Sequence, residues 1–272
     1  MARSQAIMSA SQTDITFLGN TPYERLKALM TRLRQDCPWD SQQSFKTIAP
    51  YTIEEAYEVS DAINRNDMSG LREELGDLLF QVLFHAEMAS EDKDGFNLDE
   101  VSDALVRKMV DRHPHVFNSA DSADTPKLSW EALKAQERKS KGHDSLLDDV
   151  ALALPALMRA EKLQKRAARV GFDWPNLDGV FAKITEETQE VIEAIEAGDT
   201  DAIEDEIGDL IFAVTNLARK TGIGPEKALR RTNDKFSKRF KYIETQAKAE
   251  GKDISELSLD EMEVMWQAAK GG

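Results

Sequence analysis

Residues 54–86 (EEAYEVSDAINRNDMSGLREELGDLLFQVLFHA) recur as residues 186–218 (EETQEVIEAIEAGDTDAIEDEIGDLIFAVTNLA) without a gap, at a constant offset of 132 and with fourteen of thirty-three positions identical. An ungapped match of this length marks a duplication, so the chain must build one supersecondary arrangement twice. The likeness runs past the block. Lys108 and Arg112 follow the first copy as Lys235 and Arg239 follow the second, Trp39 and Trp174 precede the two acidic clusters, and Trp130 in WEALK pairs with Trp266 in WQAAK. Two domains are therefore expected, at 21–139 and 152–272. The polar stretch 140–151 would link them, and a disordered tail would occupy residues 1–20.

Apolar residues recur at the three-to-four spacing of an amphipathic helix: Leu26, Leu29, Met30 and Leu33; Ile184, Val191, Ile192 and Ile195; Phe236, Phe240 and Ile243. Glycine and proline are sparse, at 14 and 8, and alternating strand patterns are absent. The expected fold class is all-α, two tandem helical-bundle domains. HPH at 113–115 reads as a helix stop.

The charged residues of each copy have the spacing of a metal site. Glu187 and Glu190 lie three apart on one helix face, and Glu206 and Asp209 repeat that spacing further on. Between them, Ala197-Gly198-Asp199 reads as a turn with Asp199 or Thr200 capping the next helix. So short a connection makes antiparallel neighbours, on which two carboxylate pairs can converge. Glu55, Glu58, Glu74 and Asp77 repeat the pattern in the first copy. Four converging carboxylates repel one another unless a cation joins them. All-oxygen ligation points to Mg²⁺, with Mn²⁺ as the alternative, rather than zinc. A di-iron bundle wants Glu-x-x-His on two helices, and the chain supplies Glu-x-x-Glu and Glu-x-x-Asp. Isolated acidic runs are usually solvated faces. Here the carboxylates sit beside apolar runs (Leu210-Ile211-Phe212 and Leu78-Leu79-Phe80), and Gly76 and Gly208 interrupt strong helices, which suggests a close helix approach or a ligand.

Lys235 and Arg239 share a helix face, and Lys183 lies one turn before Glu187; beside an acidic metal site these cations suit a polyphosphate. Trp266 would stack on a base or anchor the tail. No GxxxxGK[ST] loop is present. A formal charge of −15 and a pI near 4.8 argue against nucleic acid or anionic membranes as partners. No stretch is apolar enough to span a bilayer, the first twenty residues do not resemble a secretory signal, and Cys37 is the lone cysteine. A cytoplasmic location is expected.

The signature Glu54-Glu55-x-x-Glu58…Glu74-x-x-Asp77, repeated as Glu186-Glu187-x-x-Glu190…Glu206-x-x-Asp209, resembles the two-domain MazG-type nucleoside triphosphate pyrophosphohydrolases. CPWD at 37–40, RHPHVF at 112–117 and GFDW at 171–174 strengthen the likeness. The resemblance implies an all-α NTP pyrophosphatase fold, Mg²⁺-dependent cleavage of NTP to NMP and diphosphate, and a homodimer. It further implies that Glu187, Glu190, Glu206 and Asp209 bind metal, and that Lys235, Arg239 and Trp266 contact nucleotide. Glu186 is the candidate to orient or deprotonate the attacking water. Tyr51, Phe84 and Val106 stand where the second copy has Lys183, Asn216 and Asn233, so the second copy is expected to carry most activity. Broad NTP and dNTP hydrolysis is favoured over a single substrate such as dUTP or phosphoribosyl-ATP. A non-catalytic helical module that binds metal or nucleotide is the alternative.

Overall fold

The structure is a computed structural model that describes residues 15–117, 145–148 and 150–271. Regular structure among these residues is entirely helical: α1 (Pro22–Asp36), α2 (Phe45–Arg65), α3 (Met68–Ser90), α4 (Leu98–Arg112), α5 (Pro114–Phe117), α6 (Ala156–Ala168), α7 (Asp178–Ala197), α8 (Thr200–Lys220), α9 (Pro225–Ala249) and α10 (Leu259–Ala268), with short 3-10 turns at Thr16–Leu18, Asp40–Gln42 and Ile254–Glu256. Two compact units, Met1–Leu128 and Ser129–Gly272, divide the chain. Trp130 and part of the 140–151 linker lie outside the described residues, as do residues 1–14 of the expected tail. Beyond residue 14, Thr16–Leu18 packs on α1, and Arg25 donates to the carbonyls of Gly19 and Asn20.

Each unit is organised on one long antiparallel hairpin, α2–α3 in the first and α7–α8 in the second. The turns are built alike, at the offset the sequence repeat dictates. Asn66 ends α2 in the left-handed conformation (φ 56°) and Asp67 caps α3; Gly198 ends α7 (φ 70°) and Asp199 caps α8 through the amides of Asp201 and Ala202. An αL residue followed by an acidic cap reverses the chain within two residues. It thereby sets the register in which the two acidic faces meet.

In the first unit, Met30, Ile48, Leu83, Phe84 and Met88 form the core, covered by Leu26, Phe80 and Leu98. In the second, α6 and α9 pack on α8, and α10 folds back on α9 to close a cluster of Ile243, Ala247, Leu257, Met262, Met265 and Trp266. α4 stops at Arg112, with His113 at its C-cap and Pro114 opening α5, as the HPH motif suggests. No helix among the described residues is long and apolar enough to cross a membrane.

The motifs CPWD and GFDW are loops clasped by arginines. Arg34 makes a two-pronged pair with Glu91 (2.7 Å at both prongs), donates to the carbonyls of Asp40 and Gln43, and lies over the Phe84 ring. Arg166 stands at the repeat offset from Arg34 and donates to the carbonyls of Leu146 and Asp148. Asp173 of GFDW accepts from Arg219 at 2.7 Å and pairs with Lys220, which also donates to the Trp174 carbonyl. Gly179 opens α7 against the Trp174 indole, where a Cβ would fall 2.1 Å from Cδ1. Arg34 is nearly buried, at 10% side-chain exposure, so truncating it opens a gap beside Phe84 and strands two loop carbonyls, while the exposed Glu91 loses its partner. Arg34→Ala should destabilise the protein by about 2–4 kcal/mol, read from urea denaturation followed by circular dichroism.

Candidate metal centre

On the α7–α8 hairpin, carboxylate oxygens of Glu187, Glu206 and Asp209 lie within 4.8 Å of one another. On α2–α3, Glu55, Glu58 and Glu74 meet the same limit. The expected sets of four are thus each represented by three. Glu187 and Glu206 both act electrostatically on Glu190, and Asp77 acts on Glu55, so the fourth members stand close by.

The electrostatics match crowded acids. Burial first, and then the neighbouring Glu187, push Glu190 above its ordinary value, with Lys183 partly opposing them. Burial and then Glu58 and Asp77 raise Glu55; burial, and then the neighbouring Glu58 as an acceptor for the proton of Glu74, raise Glu74. The clusters are not equally enclosed. Glu187 is 2% exposed and its Oε2 has no hydrogen-bond partner among the described residues, whereas Glu55 is half-buried. A buried carboxylate oxygen without a donor, in a set made only of carboxylates, fits a hard divalent cation and fits a thiophilic metal poorly.

The cations fall into two groups. Lys183 donates to Glu186 at 2.9 Å and also pairs with Glu187, and these two carboxylates, Glu187 first, raise its pKa. Lys235 is exposed on α9. Arg239, one turn on, lies over the Trp266 ring at 5.4 Å from its centroid, and Phe236 tilts against the same ring at 5.4 Å. Trp266 is therefore a half-buried anchor that shelves Arg239.

Asn216 is buried, and its Oδ1 accepts from the Nε of Arg219, which in turn holds Asp173, so its carbonyl oxygen braces the GFDW loop. A Cβ at Gly76 or Gly208 would meet nothing within 4 Å, so no close helix approach within the described structure explains either glycine. Sequence reasoning missed the carbonyl-clasping roles of Arg34 and Arg166 and the tie from Arg219 to Asp173, because each joins residues remote from the acidic motif.

A duplicated helical hairpin that gathers three or four carboxylates at each copy defines a class of all-α, carboxylate-centred metal proteins. Within that class the assignment is specific. The MazG nucleotide pyrophosphohydrolase domain model matches residues 43–117 and 177–243, and the chain belongs to this family. It is 48% identical over 254 residues to the nucleoside triphosphate pyrophosphohydrolase of Escherichia coli K12, covering 91% of this chain and 96% of that protein. It is 40% identical over 252 residues to the nucleoside triphosphate pyrophosphohydrolase/pyrophosphatase MazG of Thermotoga maritima, covering 92% and 96%. It also matches YabN of Bacillus subtilis, an uncharacterized protein, at 43% over 253 residues, which is 91% of this chain and 51% of that one. Membership implies a divalent metal, and the acidic clusters supply donors of the right kind.

Because Glu55, Glu74 and Glu190 are raised, the folded chain holds their protons more tightly than the unfolded chain does. That stabilisation is full at acid pH and is lost as pH climbs through the raised values, leaving repulsion at neutrality. A divalent cation should therefore raise the thermal midpoint more at pH 7.5 than at pH 5. Differential scanning calorimetry with and without Mg²⁺ or Mn²⁺ measures the difference.

Proposed function

We propose that the protein hydrolyses nucleoside triphosphates, NTP and dNTP alike, to the monophosphate and diphosphate, with Mg²⁺ as the metal, or Mn²⁺ in its place. The observation that carries this reading is the buried, half-unpartnered Glu187 beside Glu206 and Asp209, in a chain of the MazG family. Bound at Glu187, Glu190, Glu206 and Asp209, the metal would supply charge neutralisation for the phosphate oxygens and polarise the phosphorus to be attacked. Lys235 and the Trp266-shelved Arg239 are the candidates to hold the outer phosphates and stabilise the departing diphosphate. A water oxygen bonds to the α-phosphorus as the bond to the bridging oxygen breaks, and Glu186 accepts the water's proton. Glu186 is exposed beside Glu187, on the helix that carries it.

The second copy is the main catalytic one in this reading, and the first is a weaker or structural site with Glu55, Glu58, Glu74 and Asp77 as metal ligands. Only the second encloses its leading glutamate and pairs it with a lysine. The protein works in the cytoplasm, on nucleotides rather than nucleic acid or membranes, and as a homodimer. Support for the dimer comes from apolar side chains left exposed at matching positions of both hairpins: Ile63, Leu75, Leu79 and Val82 in the first, Ile195, Ile207, Ile211 and Val214 in the second. Contiguous apolar faces of this kind call for a cover, and the face of a second copy has the same spacing.

Glu190→Ala should lower NTP turnover by at least about tenfold while Glu58→Ala leaves most of it. Chromatographic identification of NMP and diphosphate from a panel of NTPs with Mg²⁺ reads both variants; equal losses would contradict the asymmetry. Glu186→Gln should lower kcat by about a hundredfold with little change in KM. Undiminished turnover removes Glu186 from the proton-transfer role.

A further inference from the structure

Lys183, whose spacing makes it a candidate phosphate cation, has its ammonium paired with the carboxylates of Glu186 and Glu187. The order of the pair is informative. A lysine four residues before a glutamate is the weaker arrangement for supporting a helix, so helix stability alone does not account for it. Glu187 is almost fully enclosed, and a carboxylate taken out of water needs a charge partner. Lys183 supplies it at one oxygen, Oε1, and leaves Oε2 buried with no donor among the described residues. A metal-ligand carboxylate held at one oxygen by an outer partner has its other oxygen fixed in direction. The first copy lacks the device: Tyr51 occupies the corresponding position, its ring in a T-shaped contact with Trp39 at 6.4 Å, and Glu55 is only half-buried.

We propose that Lys183 is a positioning residue that acts through Glu187, fixing the carboxylate so that its free oxygen serves the metal. This rests on the metal being held at Glu187, and the experiment separates the two ideas. Mn²⁺ binding without nucleotide is measured by electron paramagnetic resonance and calorimetry on the full chain, carrying Glu55→Gln and Glu74→Gln to silence the first cluster. Lys183→Met should weaken Mn²⁺ binding about tenfold or more, and Lys183→Arg should recover most of it. In a Glu187→Gln background, Lys183→Met should add nothing further, since its effect passes through Glu187. Helical circular dichroism checks folding, and Lys183→Gln gives a second reading of the lost charge. Unchanged or tighter Mn²⁺ binding in both Lys183→Met and Lys183→Gln would overturn the proposal, because the lysine would then be indifferent or a competitor for the site. An additive loss in the Glu187→Gln background would overturn it too. Wild-type Mn²⁺ affinity in Glu187→Gln alone would remove the metal centre itself, and the proposal with it.

Discussion

Carboxylates forced together are the constraint around which each hairpin is built. An antiparallel pair of helices, reversed in two residues, brings acids from both rods within 4.8 Å of one another, at an electrostatic cost that rises as water is excluded. Such a hairpin needs packing elsewhere to hold its register against the repulsion. In the first unit that support comes from Phe84 and its neighbours and from the Arg34 clasp. In the second it comes from α6 and α9 against α8, and from Arg219 and Lys220 drawing Asp173 to the end of α8.

The duplication conserves geometry and lets chemistry diverge. The turns, the acidic spacing and an arginine that grips loop carbonyls recur in both units. What differs is the residue one turn before the leading glutamate, lysine in one copy and tyrosine in the other, and with it how deeply that glutamate is enclosed. Phe84 against Asn216 is a second divergence. The first is a core side chain, while the second is a buried amide that serves a loop. The units share a frame, and the differences between them concentrate where a charge is either neutralised or left alone.

Much of this was legible in the sequence because it is local. Helical periodicity gives the rods, Asp199 gives the cap, the three-residue spacing of the acids gives a shared face, and HPH gives a stop. The rest depends on tertiary neighbours that spacing does not encode. Lys183 is one turn from Glu187 on any helix, but whether its ammonium meets a phosphate or that carboxylate depends on how far Glu187 is sunk. Asn216 lies on a polar-looking register, yet Arg219 takes its oxygen because Asp173 must be reached. Trp266 was open between ring stacking and packing, and the fold-back of α10 onto α9 puts it beneath Arg239.

The uncovered apolar residues at corresponding positions carry a difference of shape. Leu75 and Leu79 branch at Cγ, whereas Ile207 and Ile211, at the same places in the other hairpin, branch at Cβ. Knobs branched at different atoms seat in differently shaped holes, even where their spacing agrees. A surface moulded to one hairpin would be a poor mould for its sibling, so two copies of one scaffold present two different reliefs.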